Sequence, residues 1–316
     1  MDRSLNRNDF VTALGAAGLA LGATVVGAGV PPTEARQGEQ MRFPEVPGAR
    51  LYFETRGSGP LMLLVPGAGG TVPAGGVFPM ELAAHYTVLT YDRRGFSRSH
   101  LDGPQDYERR LETDADDFRR LIEHVSDEPA NIFGSSSGGI LALEVLTRYP
   151  SVVRTLVPHE PPAVTFLPDS QLWLDFFLRV YDVYRQSGTE PALKTFREQA
   201  FAESDWQAMD HARSTQNSDD PILVNTIYWF ERELRQYPAV GLDLDALKAH
   251  AQRIVLVAGR ESRGYPSYEV NVELGQKLGR DVVGLPGGHI GFVTEPAAFV
   301  SEFLQALART GHGPQA

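Results

Sequence analysis

Cysteine is missing from this chain altogether. Its absence removes disulfides, thiolate nucleophiles and every metal site built on cysteine, although a cysteine-free chain suits any redox compartment. An excess of positive charge is missing as well. The 29 Lys and Arg stand against 40 Asp and Glu, a formal net charge of −11, whereas a nucleic-acid partner would need a basic patch. There is no G-x-x-x-x-G-K-S/T run and no G-x-G-x-x-G opening a helix, which sets aside a phosphate-binding role for the Gly-rich segments. No internal repeat occurs, and no low-complexity tract lies beyond the N-terminal segment, so repeat architectures are excluded.

What is present is ordinary for a globular enzyme: 316 residues, 42% hydrophobic and 22% charged, enough for one large α/β domain or a domain with an insertion. The first forty residues stand apart. Arg3 and Arg7 precede an uncharged Ala/Gly/Val/Leu run from Val11 to Val30, and Pro31-Pro32 and a polar stretch follow. Asn6-Arg7-Asn8-Asp9-Phe10-Val11 resembles a twin-arginine export signal in which Asn8 replaces the second arginine. Export is the expected reading, to a periplasmic or extracellular location. A start at Met41 would make the protein cytoplasmic, and a retained anchor is the third possibility, since twenty uncharged residues just span a bilayer. Residues 1–40 are set outside the fold as signal and linker.

From Met41 onward, short β-rich runs alternate with helical segments, the rhythm of a mostly parallel sheet covered by helices. Strands are expected at Arg50–Arg56, Leu61–Val65, Val88–Tyr91, Ala130–Phe133, Val152–Val157, Arg253–Ala258 and Val282–Leu285. Helices are expected over Arg110–Ser126, where Leu111, Ala115, Phe118, Leu121, Ile122 and Val125 share a face, and over Pro296–Ala308. Between Pro161 and His250 the rhythm stops. That stretch reads as several helices and holds all three tryptophans (Trp173, Trp206, Trp229), which suggests a lid over a site. The expected division is a core from 41 to 160, a helical cap from 161 to 250 and the rest of the core from 251 to 316.

Gly134-Ser135-Ser136-Ser137-Gly138-Gly139, entered by an apolar strand and followed by Ile140-Leu141-Ala142-Leu143, has the form G-x-S-x-G. A serine raised on so tight a turn needs small neighbours two positions to either side, and the helix it opens favours a developing negative charge. Ser136 is therefore the candidate nucleophile. Its base must be a histidine, and His289, in Pro286-Gly287-Gly288-His289-Ile290-Gly291 after the last strand, is the candidate. His85, His100, His124, His211, His250 and His312 read as surface residues. Amides of Ser137 and Ala68 are the expected oxyanion donors, because the glycines of Val65-Pro66-Gly67-Ala68-Gly69-Gly70 let the backbone turn into a pocket. Gly67, Gly69, Trp173 and Phe177 are the expected substrate contacts.

Together with Asp92-Arg93-Arg94-Gly95-Phe96-Ser97-Arg98-Ser99, which is similar to a D-x-R-G-x-G-x-S segment with Ser97 in a glycine place, these motifs make the chain resemble the α/β-hydrolase fold family from about residue 45 to 310. The resemblance implies an eight-stranded, mostly parallel sheet with the cap inserted before its last two strands. It also implies a triad acid, for which two places compete. The usual G-x-x-D turn is here Gly259-Arg260-Glu261-Ser262, so the acid position holds a serine and Glu261 comes one residue early. Relatives of another branch carry a glutamate after the preceding strand, where Glu160 stands 24 residues beyond Ser136; Glu160 is placed ahead of Glu261. Asp92, Asp102 and Glu54 read as loop or surface charges. The implied activity is cofactor-free and metal-independent hydrolysis of a carboxylic ester or lactone of an apolar small molecule. The rivals are a perhydrolase, a C–C bond hydrolase and a non-catalytic small-molecule receptor.

Overall fold

The computed structural model describes residues 44–214 and 221–314, for 212–214 the backbone alone. The N-terminal segment, with its export and anchor readings, lies outside the described residues. In chain order the elements are β1 (Glu45–Val46), β2 (Ala49–Arg50), β3 (Phe53–Arg56), β4 (Leu61–Val65), α1 (Val77–Leu82), β5 (Thr87–Tyr91), β6 (His100–Leu101), α2 (Arg110–Val125), β7 (Ala130–Ser135), α3 (Ser137–Arg148) and β8 (Val153–His159). Among the described residues five α-helices follow: α4 (Ser170–Ser187), α5 (Thr189–Ala200), α6 (Glu203–Ser214), α7 (Ile222–Arg232) and α8 (Leu244–Ala249). The chain then closes with β9 (Leu256–Gly259), α9 (Pro266–Leu278), β10 (Val282–Leu285), α10 (Gly291–Thr294) and α11 (Pro296–Arg309).

The main sheet runs β10-β9-β8-β7-β4-β5-β3, parallel throughout except for the antiparallel edge strand β3. Among the described residues it has seven strands, not the eight expected. The run Arg50–Arg56 is also broken in two. Tyr52 N–H donates to Ser99 Oγ at 2.9 Å instead of to a neighbouring strand, so β2 departs to pair with β1 and β6 in a small antiparallel sheet, and only β3 stays on the main one.

The apolar run of β4 explains why it is central. Leu61, Leu63 and Val65 face one side of the sheet, against Phe118 and Leu121 of α2 and Leu143 of α3; Met62 and Leu64 face the other, against Phe78 of α1 and Phe299 and Phe303 of α11. A parallel strand buried on both faces needs no polar alternation. The helices between β8 and β9 are not a separate body. Phe176, Phe177 and Val180 of α4 and Trp229 and Phe230 of α7 belong to the same buried cluster as α2 and α3.

Candidate active site

Ser136 joins β7 to α3 with φ 56° and ψ −127°, a left-handed backbone that an L-residue holds only when its surroundings enforce it. The surroundings do. Ser136 N–H donates to the His159 carbonyl at 2.9 Å, and a Cβ on Gly138 would come within 2.4 Å of the Val65 carbonyl oxygen. The crossing of the elbow over β4 therefore admits only glycine at 138. The serine side chain emerges on an apolar cavity of about 460 Å³, whose wall includes Gly67, Ala68, Gly69, Ser137 and His289.

His289 is held on three sides. Its Nδ1 lies 2.7 Å from Glu160 Oε2, the Phe201 ring stacks on it at 4.4 Å between centroids, and its backbone N–H donates to Asp205. An ionised carboxylate only accepts, so Nδ1 carries the shared proton and Nε2 keeps its lone pair. The other oxygen of Glu160, Oε1, accepts from Gly259 N–H at 2.7 Å, so both ends of the carboxylate are fixed. Burial is the largest single influence and pushes the Glu160 carboxyl up, but the hydrogen bond from His289, the His159 and His289 rings and the Gly259 amide together outweigh it and hold the group below the ordinary carboxylate value. Glu160, like Ser136, sits at positive φ, 48°.

Glu261, the competing acid, is not brought to the histidine. It is exposed, and its Oε2 accepts from Ser204 Oγ at 2.6 Å. The chain from Arg260 to Ser262 is a single 3-10 turn, in which Ser262 is the buried residue and Glu261 points away. The place of the usual aspartate is thus occupied by a serine whose Oγ has no partner among the described residues.

Ala68 and Ser137 line the cavity together with Ser136, and among the described residues neither amide N–H has an acceptor. The loop carrying Ala68 is braced from behind. Gly67 O accepts from Gly70 N–H and from Arg93 Nη2, each at 2.9 Å. Arg93 is fully buried and pairs with Glu233 at 2.7 Å, and Arg110 joins the same carboxylate at 3.2 Å. Isolated charges at such depth would be prohibitive; this set balances, with Asp114 as the fourth member and Tyr237 donating to it at 2.6 Å.

Of the expected substrate contacts, Gly67, Gly69 and Phe177 line the cavity and Trp173 does not. Trp173 lies one helical turn before Phe177 on α4 and packs edge-on against Phe176 at 5.6 Å. The tryptophan in the wall is Trp229, beside Phe196, Phe201, Leu193 and Met209. Asp92 is no surface charge either. It is wholly buried and accepts from Arg98 Nε at 2.7 Å, from Arg98 N–H at 3.0 Å and from Thr71 Oγ1. Asp102 is exposed and pairs with Arg50 at 3.3 Å, and Glu54 is half-buried. His85, which falls in the turn after α1, and His100, His124 and His211 are exposed; His250 and His312 are half-buried. Sequence reasoning missed Asp205, Arg93 and Glu233, whose partners lie far along the chain, and the buried His159.

Ser97, in the glycine place of its segment, has φ 44°, and Asn225 of α7 secures it by accepting from Ser97 N–H at 2.9 Å and donating to Ser97 Oγ at 2.8 Å. Asparagine supplies what the missing glycine would have made unnecessary, two bonds that hold a strained turn.

Comparison with known proteins gives the same architecture. The α/β-hydrolase fold family matches residues 60–296. An uncharacterized hydrolase of Bacillus subtilis, YraK, is 34% identical over 78% of this chain and 89% of its own length. A zearalenone hydrolase of Cladophialophora bantiana is 24% identical over 83% and 94%. Among solved structures, the enol-lactonase of Burkholderia xenovorans superposes with a TM-score of 0.63 at 17% identity, covering 82% of this chain and 97% of that one, a likeness of fold. The chain belongs to the α/β-hydrolase fold family and is a hydrolase of that type.

Proposed function

We propose that this protein is a serine hydrolase of carboxylic esters or lactones of apolar small molecules, working through Ser136, His289 and Glu160. The observation that carries the reading is the 2.7 Å contact of His289 Nδ1 with Glu160 Oε2, in a cavity wall shared with Ser136. Glu160 fixes the tautomer that leaves Nε2 as the base. Ser136 Oγ attacks the carbonyl carbon as its proton passes to Nε2, and Glu160 stabilises the imidazolium. The oxyanion takes hydrogen bonds from the Ala68 and Ser137 amides. Collapse breaks the acyl–oxygen bond, and the leaving alkoxide takes the proton from His289; in a lactone it stays tethered to the acyl group. A water deprotonated by His289 then attacks the acyl-enzyme, releases the acid and restores Ser136.

The apolar wall of Phe177, Phe196, Phe201 and Trp229 supports a bulky or aromatic substrate, and the helices α4 to α7 that supply it act as the cap. The names of two similar proteins, a zearalenone hydrolase and an enol-lactonase, lend support to a lactone or ester as the bond cleaved. A fluorophosphonate probe followed by peptide mapping tests the nucleophile, and p-nitrophenyl esters of graded chain length run beside a set of lactones test the substrate class. Labelling at Ser136 with turnover in one of those panels is the expected result. No labelling of the folded wild type would overturn the reading.

A further inference from the structure

We propose that Asp205, on the inserted helix α6, is a positioning residue for the His289 loop, so that the reaction centre is complete only while α6 is seated against it. The inference rests on the reading of His289 as the base. Asp205 is 1% exposed although it lies in the first turn of a helix whose neighbouring acid, Glu203, faces solvent. Its two oxygens take two consecutive amides of the histidine loop: Oδ2 accepts from His289 N–H at 2.8 Å and Oδ1 from Ile290 N–H at 3.0 Å. Such a fork fixes a peptide plane in both position and tilt, and a charged acceptor in a water-poor site makes each bond stronger than a neutral one.

The loop is shaped for this carboxylate. A Cβ on Gly288 would stand 2.1 Å from Asp205 Oδ2, so only glycine lets α6 approach. Neighbouring residues of the insertion reinforce the contact on either side. Phe201 stacks on the imidazole at 4.4 Å, and Ser204 donates to Glu261 on the turn that precedes α9. Glu160 orients the ring from the core side, while Asp205 orients the backbone that carries the ring from the insertion side. A helix that also helps form the substrate cavity, through Met209, thereby holds the base in place.

The test uses the full chain and the variants Asp205→Ala and Asp205→Asn, with Val180→Ala on α4 as a control for lost packing away from the cavity wall. The first readout is the downfield proton resonance of His289 Nδ1–H, which reports the ring's bond to Glu160 whether or not the protein turns over a substrate. The second is kcat and KM on the best ester or lactone. The expected result is that Asp205→Ala broadens or loses the resonance and lowers kcat by about 10–100-fold, a size typical of a misplaced catalytic group, with KM changed little. Asp205→Asn, which keeps the shape and one acceptor and serves if the alanine variant does not fold, lies between; Val180→Ala keeps both resonance and kcat at any matched loss of Tm. A folded Asp205 variant with an unchanged resonance and unchanged kcat overturns the proposal. If the wild type shows no hydrolysis, the ester reading fails while the resonance still decides the role of Asp205.

Discussion

His159 ends β8 one residue before Glu160, wholly buried, with no partner on either ring nitrogen among the described residues. The rings of Phe133, Phe292 and Phe299 surround it at 5.6–5.8 Å. Burial depresses its pKa to about 4, despite the opposing charge of Glu160. In the unfolded chain a histidine titrates near 6.5, so above that pH both states are neutral and His159 does not affect stability. As pH falls from about 6.5 to about 4, the unfolded state takes up a proton that the fold refuses, and stability drops by about 1.4 kcal/mol per unit, about 3 kcal/mol in all. Glu160, whose pKa is depressed, acts lower: its contribution is lost only as pH falls through its own folded value, below the ordinary carboxylate range. We predict that His159→Phe flattens the urea-midpoint profile between pH 6.5 and 4 relative to the wild type. Parallel profiles for the two proteins would contradict that assignment.

At the scale of elements, what could be read from the chain and what could not divide by sequence distance. The elbow was legible because its strand, turn and helix are contiguous, and its glycines answer to steric contacts within that crossing. The His289 turn was legible for the same reason, flanked by glycines after the last strand. Glu160 was legible as a choice between two strand ends, and the geometry of the 260–262 turn separates it from Glu261. The bonds of Asp205 to His289 and of Arg93 to Glu233 span 84 and 140 residues, and no local pattern marks them. Aromatic density likewise pointed to the insertion and to Phe177 in the cavity wall, but not to the tryptophan that lines it. Trp229 lies in the cavity wall through the rotation of α7, a property of packing and not of composition. Trp229→Ala is therefore predicted to raise KM for a bulky apolar substrate by about tenfold, the worth of roughly 1.4 kcal/mol of lost apolar burial. Trp173→Ala is expected to leave KM near the wild-type value, and equal effects of the two would remove the distinction.

On the scale of the whole molecule, the inserted helices and the α/β core share one buried cluster, and the Arg93–Glu233 pair and the Asp205 fork tie them together again at the site. An insertion so connected should not melt alone. All three tryptophans lie in it, so tryptophan fluorescence follows the insertion while far-UV circular dichroism follows the helices and sheet of the whole chain. The two urea transitions are predicted to coincide, as for a single cooperative unit. A fluorescence transition at lower urea would show an insertion that opens before the core.

The fold also explains how the proposed triad can come from three distant stretches of chain: parallel strands place the ends of β7 and β8 and the turn after β10 at one end of the sheet, and Glu160 contacts both Gly259 N–H and His289. The most direct test of that assembly is the pair Glu160→Gln and Glu261→Gln, compared by kcat on one ester with Tm as the check of folding. Loss of the acid leaves the histidine in the wrong tautomer, so Glu160→Gln is predicted to lower kcat by about 10⁴-fold, with Glu261→Gln within about twofold of the wild type. A Glu160→Gln enzyme that is folded and nearly as active as the wild type, with the loss falling on Glu261→Gln instead, would contradict the account.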